Sequence, residues 1–319
     1  MRALGTSAKL SSGAAAVALA TLLLILLASG SIAGANRARH ITQTVAQEQK
    51  VAPTKIKDRR IQWDPPNLDE PLASVSSSPP CTISDVLRQV GARAQEMMAN
   101  IPNFTANERI QYQARDQMGT VAEAQAGTFD YIAQFAPDGS GWTVQETRTP
   151  LKGTEAFPAS AQDVGLPELA LIFLPRYQPD FDMTCDGAAQ WDGQAAWVIR
   201  FRQRPDKPSE ILSVPGTKPL YRMKLKGRAW LAEDSGEVLH LDTGILKAIP
   251  SLRLRNWWLS INYGPVQFHS VNVRMWLPQT VDAYAQFDDY RTLISHTFAD
   301  FMVFSVRAQQ DIGKPNGQH

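Results

Sequence analysis

The sequence predicts a mainly β protein with few helices: a curved antiparallel sheet forming an unclosed half-barrel, capped by an N-terminal amphipathic helix and a short apolar helix. Two-residue alternation of apolar and polar side chains recurs from Glu108 to Val306 and yields ten or eleven strands. One stretch, Thr82–Ile101, carries a sustained helical period, and one block, Leu166–Leu174, is too apolar to be a loop. A sheet of that many strands with one apolar face curves, and its concave side has to close or be plugged.

The chain begins like an exported protein. Arg2 and Lys9 precede the apolar run Ala14–Ala28, and Ala33-Gly34-Ala35 offers a small-residue cleavage site before Asn36. Residues 1–35 read either as a cleaved signal peptide or as a retained anchor. The apolar stretch Ala14–Gly34 is long enough to span roughly 30 Å of hydrocarbon, and Arg37 and Arg39 directly after it resist translocation. Both readings place the rest of the chain in the periplasm or cell envelope. Residues 36–80 contain Pro53, Pro65, Pro66, Pro71, Pro79 and Pro80 with a serine patch and no apolar period, the composition of a disordered tether. Its first half is basic and suits either plain solvation or an anionic membrane surface. The net charge is +1, of which +2 sits in residues 1–35, so the remainder offers no basic field for nucleic acid.

Folded structure is expected over 81–307, with 308–319 a disordered tail. Thr82 caps a helix in which Ile83, Val86, Leu87, Val90, Ala94, Met97, Met98 and Ile101 share a stripe, ending at Pro102. Strands follow: Ile110, Tyr112 and Ala114; Phe129, Tyr131, Ala133 and Phe135; Trp142 and Val144. Leu166–Leu174 is either a short helix on the sheet or a buried strand. Trp197, Ile199 and Phe201 resume the alternation, and Pro205–Pro219 is a polar excursion. The longest hairpin runs from Tyr221 to Asp242: Tyr221, Met223, Leu225, Gly227, Ala229 and Leu231 share one face, Glu233-Asp234-Ser235-Gly236 turns, and Leu239 and Leu241 return on one phase. Late strands carry Trp257, Leu259, Ile261 and Tyr263; Val266 and Phe268; Val273, Met275 and Leu277; Val281, Ala283 and Phe287; then Thr297–Val306. In a regular strand one of Trp257 and Trp258 points outward and is exposed.

Sequence motifs for catalysis are missing: no G-x-S-x-G, P-loop, G-x-G-x-x-G, H-E-x-x-H or C-x-x-C occurs. His240, His269 and His296 fall in the strand-rich half, but solvent-facing histidines describe them better than a metal site. Asp288-Asp289 fits a turn rather than an acid–base pair. Cys81 and Cys185 are an even pair in an exported chain, and a disulfide between them closes a loop of about a hundred residues, contributing about 4–5 kcal/mol in the chain-entropy view.

Asn103-Phe104-Thr105 after the helix, Lys226-Gly-Arg-Ala-Trp-Leu with its turn into Val238-Leu-His-Leu, and the series Ile261-Asn-Tyr, Val266-Gln-Phe and Leu277-Pro together resemble the periplasmic lipoprotein-carrier and outer-membrane lipoprotein-sorting superfamily. The resemblance implies an unclosed antiparallel barrel with a helical lid, binding lipid or lipoprotein acyl chains without catalysis. Residues 156–219 fit it less well. The apolar face itself supplies the expected ligand-facing residues. They are Val86, Val90 and Met97 on the helix, Leu169, Ile172 and Phe173 in the apolar block, and Leu225, Leu231, Leu239, Tyr263 and Phe268 on strands. No cofactor, metal or nucleic acid is expected, and the protein is read as a monomer. The alternative is a membrane-tethered envelope sensor or scaffold, using the same fold as an interaction module.

Overall fold

A computed structural model describes residues 65–100, 103–138, 141–151, 153–154, 157, 167–214, 221–268 and 272–303. Among them are helix α1 (Ile83–Asn100) and twelve strands. The first five are β1 (Asn103–Asp116), β2 (Val121–Asp138), β3 (Gly141–Pro150), β4 (Phe181–Trp191) and β5 (Gln194–Gln203). The rest are β6 (Ser213–Val214), β7 (Tyr221–Arg222), β8 (Leu225–Ala232), β9 (Val238–Ile245), β10 (Leu254–Phe268), β11 (Val273–Phe287) and β12 (Tyr290–Val303). Ten of them form one antiparallel sheet in the order β3-β2-β1-β12-β11-β10-β9-β8-β5-β4, with β6 and β7 paired separately. The end strands β3 and β4 do not meet, so the sheet is not closed, as expected.

Alternation explains one face. Phe104, Ala106, Ile110, Tyr112 and Ala114 of β1 are buried, as are Phe129, Tyr131, Ala133 and Phe135 of β2, and all join a single core under α1. Helix α1 lays Val86, Val90, Ala94 and Met98 onto that core, one residue per turn. Burying each apolar side chain of Leu or Phe size contributes about 1.5–3 kcal/mol. The apolar block resolves as a 3₁₀ segment, Pro167–Phe173, in which Leu169, Ala170, Leu171, Ile172 and Phe173 are all buried. It is surrounded on every side, so its sequence shows no polar stripe. Leu166, Ile101 and Pro102 lie outside the described residues.

The long hairpin departs from expectation twice. Its first strand is interrupted after β7, where Met223 N–H donates to the Leu212 carbonyl, and resumes at Leu225. Leu225 itself is buried in the core, on the expected face. Gly227 allows the strands to close up, because a Cβ there would lie 2.3 Å from both the Asp242 carbonyl oxygen and the Phe201 ring. The second departure is Leu239. The register jumps from Trp230↔His240 to Leu231↔Val238, leaving Leu239 unpaired. Such a bulge breaks the two-residue phase, and Leu239 packs with Ala196, Val198, Trp230 and Ala232 on the opposite face from Leu241.

That opposite face is covered by residues 65–78, which fall within the stretch read from sequence as tether. Leu68 packs on Trp258, Tyr284 and Leu293. Asp69 pairs with Arg202 at 2.7 Å and with Lys226, and the Glu70 carbonyl accepts from Arg228. Ser76 exchanges two backbone hydrogen bonds with Ala188 on edge strand β4, at 2.7 and 2.8 Å. Trp258 is therefore buried rather than exposed, while Trp257 packs against the main core. The Cys81–Cys185 disulfide, Cα–Cα 6.2 Å, then fastens the start of α1 to the same edge strand. Asp288-Asp289 is the expected turn, between β11 and β12, with Asp288 paired to Arg255 at 2.7 Å and Asp289 to Arg253. No helix among the described residues is long and apolar enough to cross a membrane.

Candidate functional site

Two adjoining clefts lie under α1 on the core face. The first, about 20 Å³, is walled by Met97, Met98, Phe135, Ala170, Tyr263, Met275, Trp276, Leu277 and Pro278. The second, about 30 Å³, shares Met97, Ala170, Tyr263 and Trp276 and continues to Val90, Arg93, Ala94, Gly236, Glu237 and Val238. The pair runs from an apolar end at Phe135 and Leu277 to an ionic end at Arg93 and Glu237. Three methionines, the most adaptable of apolar side chains, face it.

Anchors hold α1 along its first three turns. Gln89 donates to the Asp234 carbonyl at 3.0 Å, Gln178 donates to the Leu87 carbonyl at 2.9 Å, and Arg93 Nε donates to Glu237 at 2.5 Å. Gly236, at φ 71°, lets the β8–β9 turn press against the helix, since a Cβ there would stand 2.9 Å from Gln89 Cγ. Burial pushes the Glu237 carboxyl up, outweighing the pull of Arg93. Tyr263 lines both clefts, and its buried hydroxyl has no hydrogen-bond partner among the described residues. Burial alone raises its phenol well above the ordinary value.

Of the residues predicted from sequence, Val90, Met97 and Tyr263 border these clefts. Val86, Leu169, Ile172, Phe173, Leu225, Leu231 and Phe268 belong to the surrounding core, and Leu239 is on the other face. Met98, Met275 and Leu277 were legible as apolar positions of their elements. Arg93, Glu237 and Trp276 carried no sequence signal.

A second polar group lies inside the core at β1, β2, β3 and β12. Glu108 accepts from Arg148 at 2.6 and 3.1 Å and meets His296 Nδ1 at 2.7 Å, with all three side chains nearly fully buried. Tyr131 donates to Glu146 at 2.6 Å and lies under the Arg148 guanidinium. Burial disfavours the Glu108 carboxylate, but the Arg148 charge and the His296 contact outweigh it and hold the group below the usual range. His296 is thus a core histidine, not a solvent-facing one. The sequence signal was Glu108 itself, a carboxylate on the apolar phase of Phe104, Ala106, Ile110 and Tyr112.

His240 is also buried, against the expectation of exposure. Its ring stacks on Trp191 at 3.8 Å, Nδ1 meets Asn262 at 2.9 Å, and Nε2 meets Asp242 at 2.9 Å. Ser260 Oγ stands 3.4 Å from the same Nε2. A proton relay needs the acid on one ring nitrogen and the hydroxyl on the other; here both crowd one nitrogen, so the three residues do not form a catalytic triad. The bulge that turned Leu239 also brings His240 against Trp230. His269 lies outside the described residues, and no metal-binding cluster of His, Cys, Asp or Glu occurs among those described.

Fold and site together define a half-open antiparallel β protein with a helix laid across an apolar concave face. No family model matches the chain. No curated protein matches it either. Among solved structures it is similar to a DUF1329 family protein from Desulfovibrio piger, at 10% identity and TM-score 0.39, covering 73% of this chain and 95% of that one. It is also similar to a putative outer membrane lipoprotein-sorting protein domain from Vibrio parahaemolyticus, at 10% identity and TM-score 0.38, covering 71% and 96%. A LolA superfamily protein from Nitrosomonas europaea aligns at 8% identity and TM-score 0.33, covering 71% and 96%.

Proposed function

We propose that this chain is an exported envelope protein that binds the acyl chain of a lipid or lipoprotein beneath α1, as a monomer and without turnover. The observation that carries the reading is the pair of mainly apolar clefts under α1, bordered by three methionines and by the Tyr263 hydroxyl, which has no partner among the described residues. Clefts of about 20 and 30 Å³ each hold roughly one water, whereas a small-molecule site encloses about 300–1,000 Å³. Binding therefore requires α1 to lift, with the disulfide and the anchors near its N-terminus as the pivot. A ligand opens it only by its greater affinity for the open form. Residues 1–35 direct export, by cleavage or by retention as an inner-membrane anchor, and the chain from 36 to the folded domain sets its reach.

The small clefts also support a second reading, a tethered envelope sensor or scaffold that uses the closed domain as an interaction module. Mass spectrometry of an organic extract separates the two, with the full chain expressed from its own leader and isolated without detergent. Lipid at one per protein is expected. An empty protein that also fails to take up a fluorescent fatty-acid analogue would overturn the carrier reading in favour of the module.

A further inference from the structure

Tyr263 sits where the β10–β11 ladder is irregular. Asn262 pairs with Thr280 and Tyr263 with Pro278, so Gln279 is an extra residue on β11. The following Gly264 makes room for it, since a Cβ there would stand 2.9 Å from Gln279 Cγ. Bulges of this kind are over-represented next to functional sites. Opposite it on β10, Tyr263 keeps the core phase of Leu259 and Ile261 and borders both clefts, with its hydroxyl fully buried and bonded to no described residue. Phenylalanine would fill the same space without leaving a buried donor unmet, and a buried donor without a partner is strongly unfavourable. Around it Met97, Ala170 and Trp276 are apolar, and the nearest ionic pair, Arg93 and Glu237, is engaged with itself.

We infer that the Tyr263 hydroxyl is the polar anchor of this site and that the ligand carries an ester or amide carbonyl on its apolar chain. The inference rests on the binding reading above and deepens it, naming the side chain that holds the acyl carbonyl. Burial keeps the phenol protonated, so it donates and the carbonyl accepts. The chain then lies toward Phe135 and Leu277, and the head toward Arg93 and Glu237.

The test compares 1-palmitoylglycerol with 1-O-hexadecylglycerol, which share chain and head but differ in the carbonyl. The full-length protein and its Tyr263→Phe variant are each titrated, with binding read by tryptophan fluorescence because Trp276 borders both clefts. The wild type is expected to bind the ester roughly fivefold more tightly, the value of about one hydrogen bond. The Tyr263→Phe variant is expected to bind the two alike, at the wild-type affinity for the ether. Equal affinities in the wild type, or an ester preference surviving in Tyr263→Phe, would overturn the inference and leave the binding reading standing. Failure of the wild type to bind either compound would remove both.

Discussion

Two buried polar sites lie against the same core, and they are opposites. In the β1, β2, β3 and β12 wing, Glu108, Arg148, His296, Tyr131 and Glu146 are matched to one another, so the charges are locked in place. Beneath α1, Tyr263 has no described partner. A network in which each charge meets another holds a fold in one arrangement; a single unmet donor in an apolar cleft marks where something else belongs. The first site is structural, and the second is where a ligand is proposed.

The sharpest way to break the contrast is to unbalance the sealed site. Glu108→Ala strands the Arg148 guanidinium inside the core and should lower unfolding stability by about 3–5 kcal/mol, measured by urea denaturation. Replacing Glu108 and Arg148 together by Leu and Met should recover most of that loss, since a buried pair exchanged for apolar residues of similar volume is close to neutral. A double variant no better than the single one would show that Glu146 or His296 depends on Arg148 as heavily as Glu108 does.

Next in size is the covalent link. Cys81→Ser with Cys185→Ser frees a loop of 104 residues and should lower stability by about 2–4 kcal/mol, less than the ideal chain-entropy value because an unfolded chain keeps residual structure. Uptake of the fluorescent probe should keep its rate, because the disulfide lies at the pivot and α1 lifts from its other end. Faster uptake would mean that the N-terminal end of α1 lifts as well.

Acid should separate the two sites by sign. The Glu108 pKa is lowered on folding, so its stabilisation is complete above the unfolded value, near 4.3, and drains away as pH falls through its lower folded value. The Glu237 pKa is raised, so its charged form opposes folding, and that penalty disappears as pH falls through its folded value. The Arg93–Glu237 pair is lost in that step, but relief of the buried charge outweighs it. As pH falls from neutrality through the raised Glu237 value, the protection of α1 amides in native-state hydrogen exchange should therefore rise while that of β1 and β12 does not, and Glu237→Gln should abolish this dependence. Parallel changes in both regions would erase the distinction. The smallest effect expected is Tyr263→Phe in the ligand-free protein, a gain of up to about 1 kcal/mol from removing an unmet donor. A loss instead would reveal a partner for the hydroxyl.

Much of the fold could be read from period alone, because the core face of β1, β2, β5 and β8 is strictly alternating and α1 repeats once per turn. What escaped the reading had local causes. Leu239 lies at a register shift, where counting by twos fails. Arg228 and Trp258 sit on a face that alternation assigns to solvent and are buried where residues 65–78 return to cover it, and His240 on the same face is buried beneath Trp191. That cover is polar and proline-containing, so nothing in its own composition says that it docks. Within the site, Val90, Met97, Met98, Phe135, Tyr263, Met275 and Leu277 were recognisable as apolar positions of their elements, and Trp276, off the apolar phase of β11, was not. The Arg93–Glu237 end was not, since it depends on helix and hairpin meeting across 144 residues.

The route of residues 65–83 around the β4 edge also fixes how force travels through the molecule. Tension arriving from the N-terminal side meets Asp69 and Glu70 on the outer face first, then the Ser76–Ala188 bridge, then the disulfide, and only afterwards the first turn of α1. The load is shed into β8, β5 and β4 before it reaches the helix. Pulling on the chain ahead of residue 65 therefore strains the outside of the sheet and leaves α1 mechanically insulated.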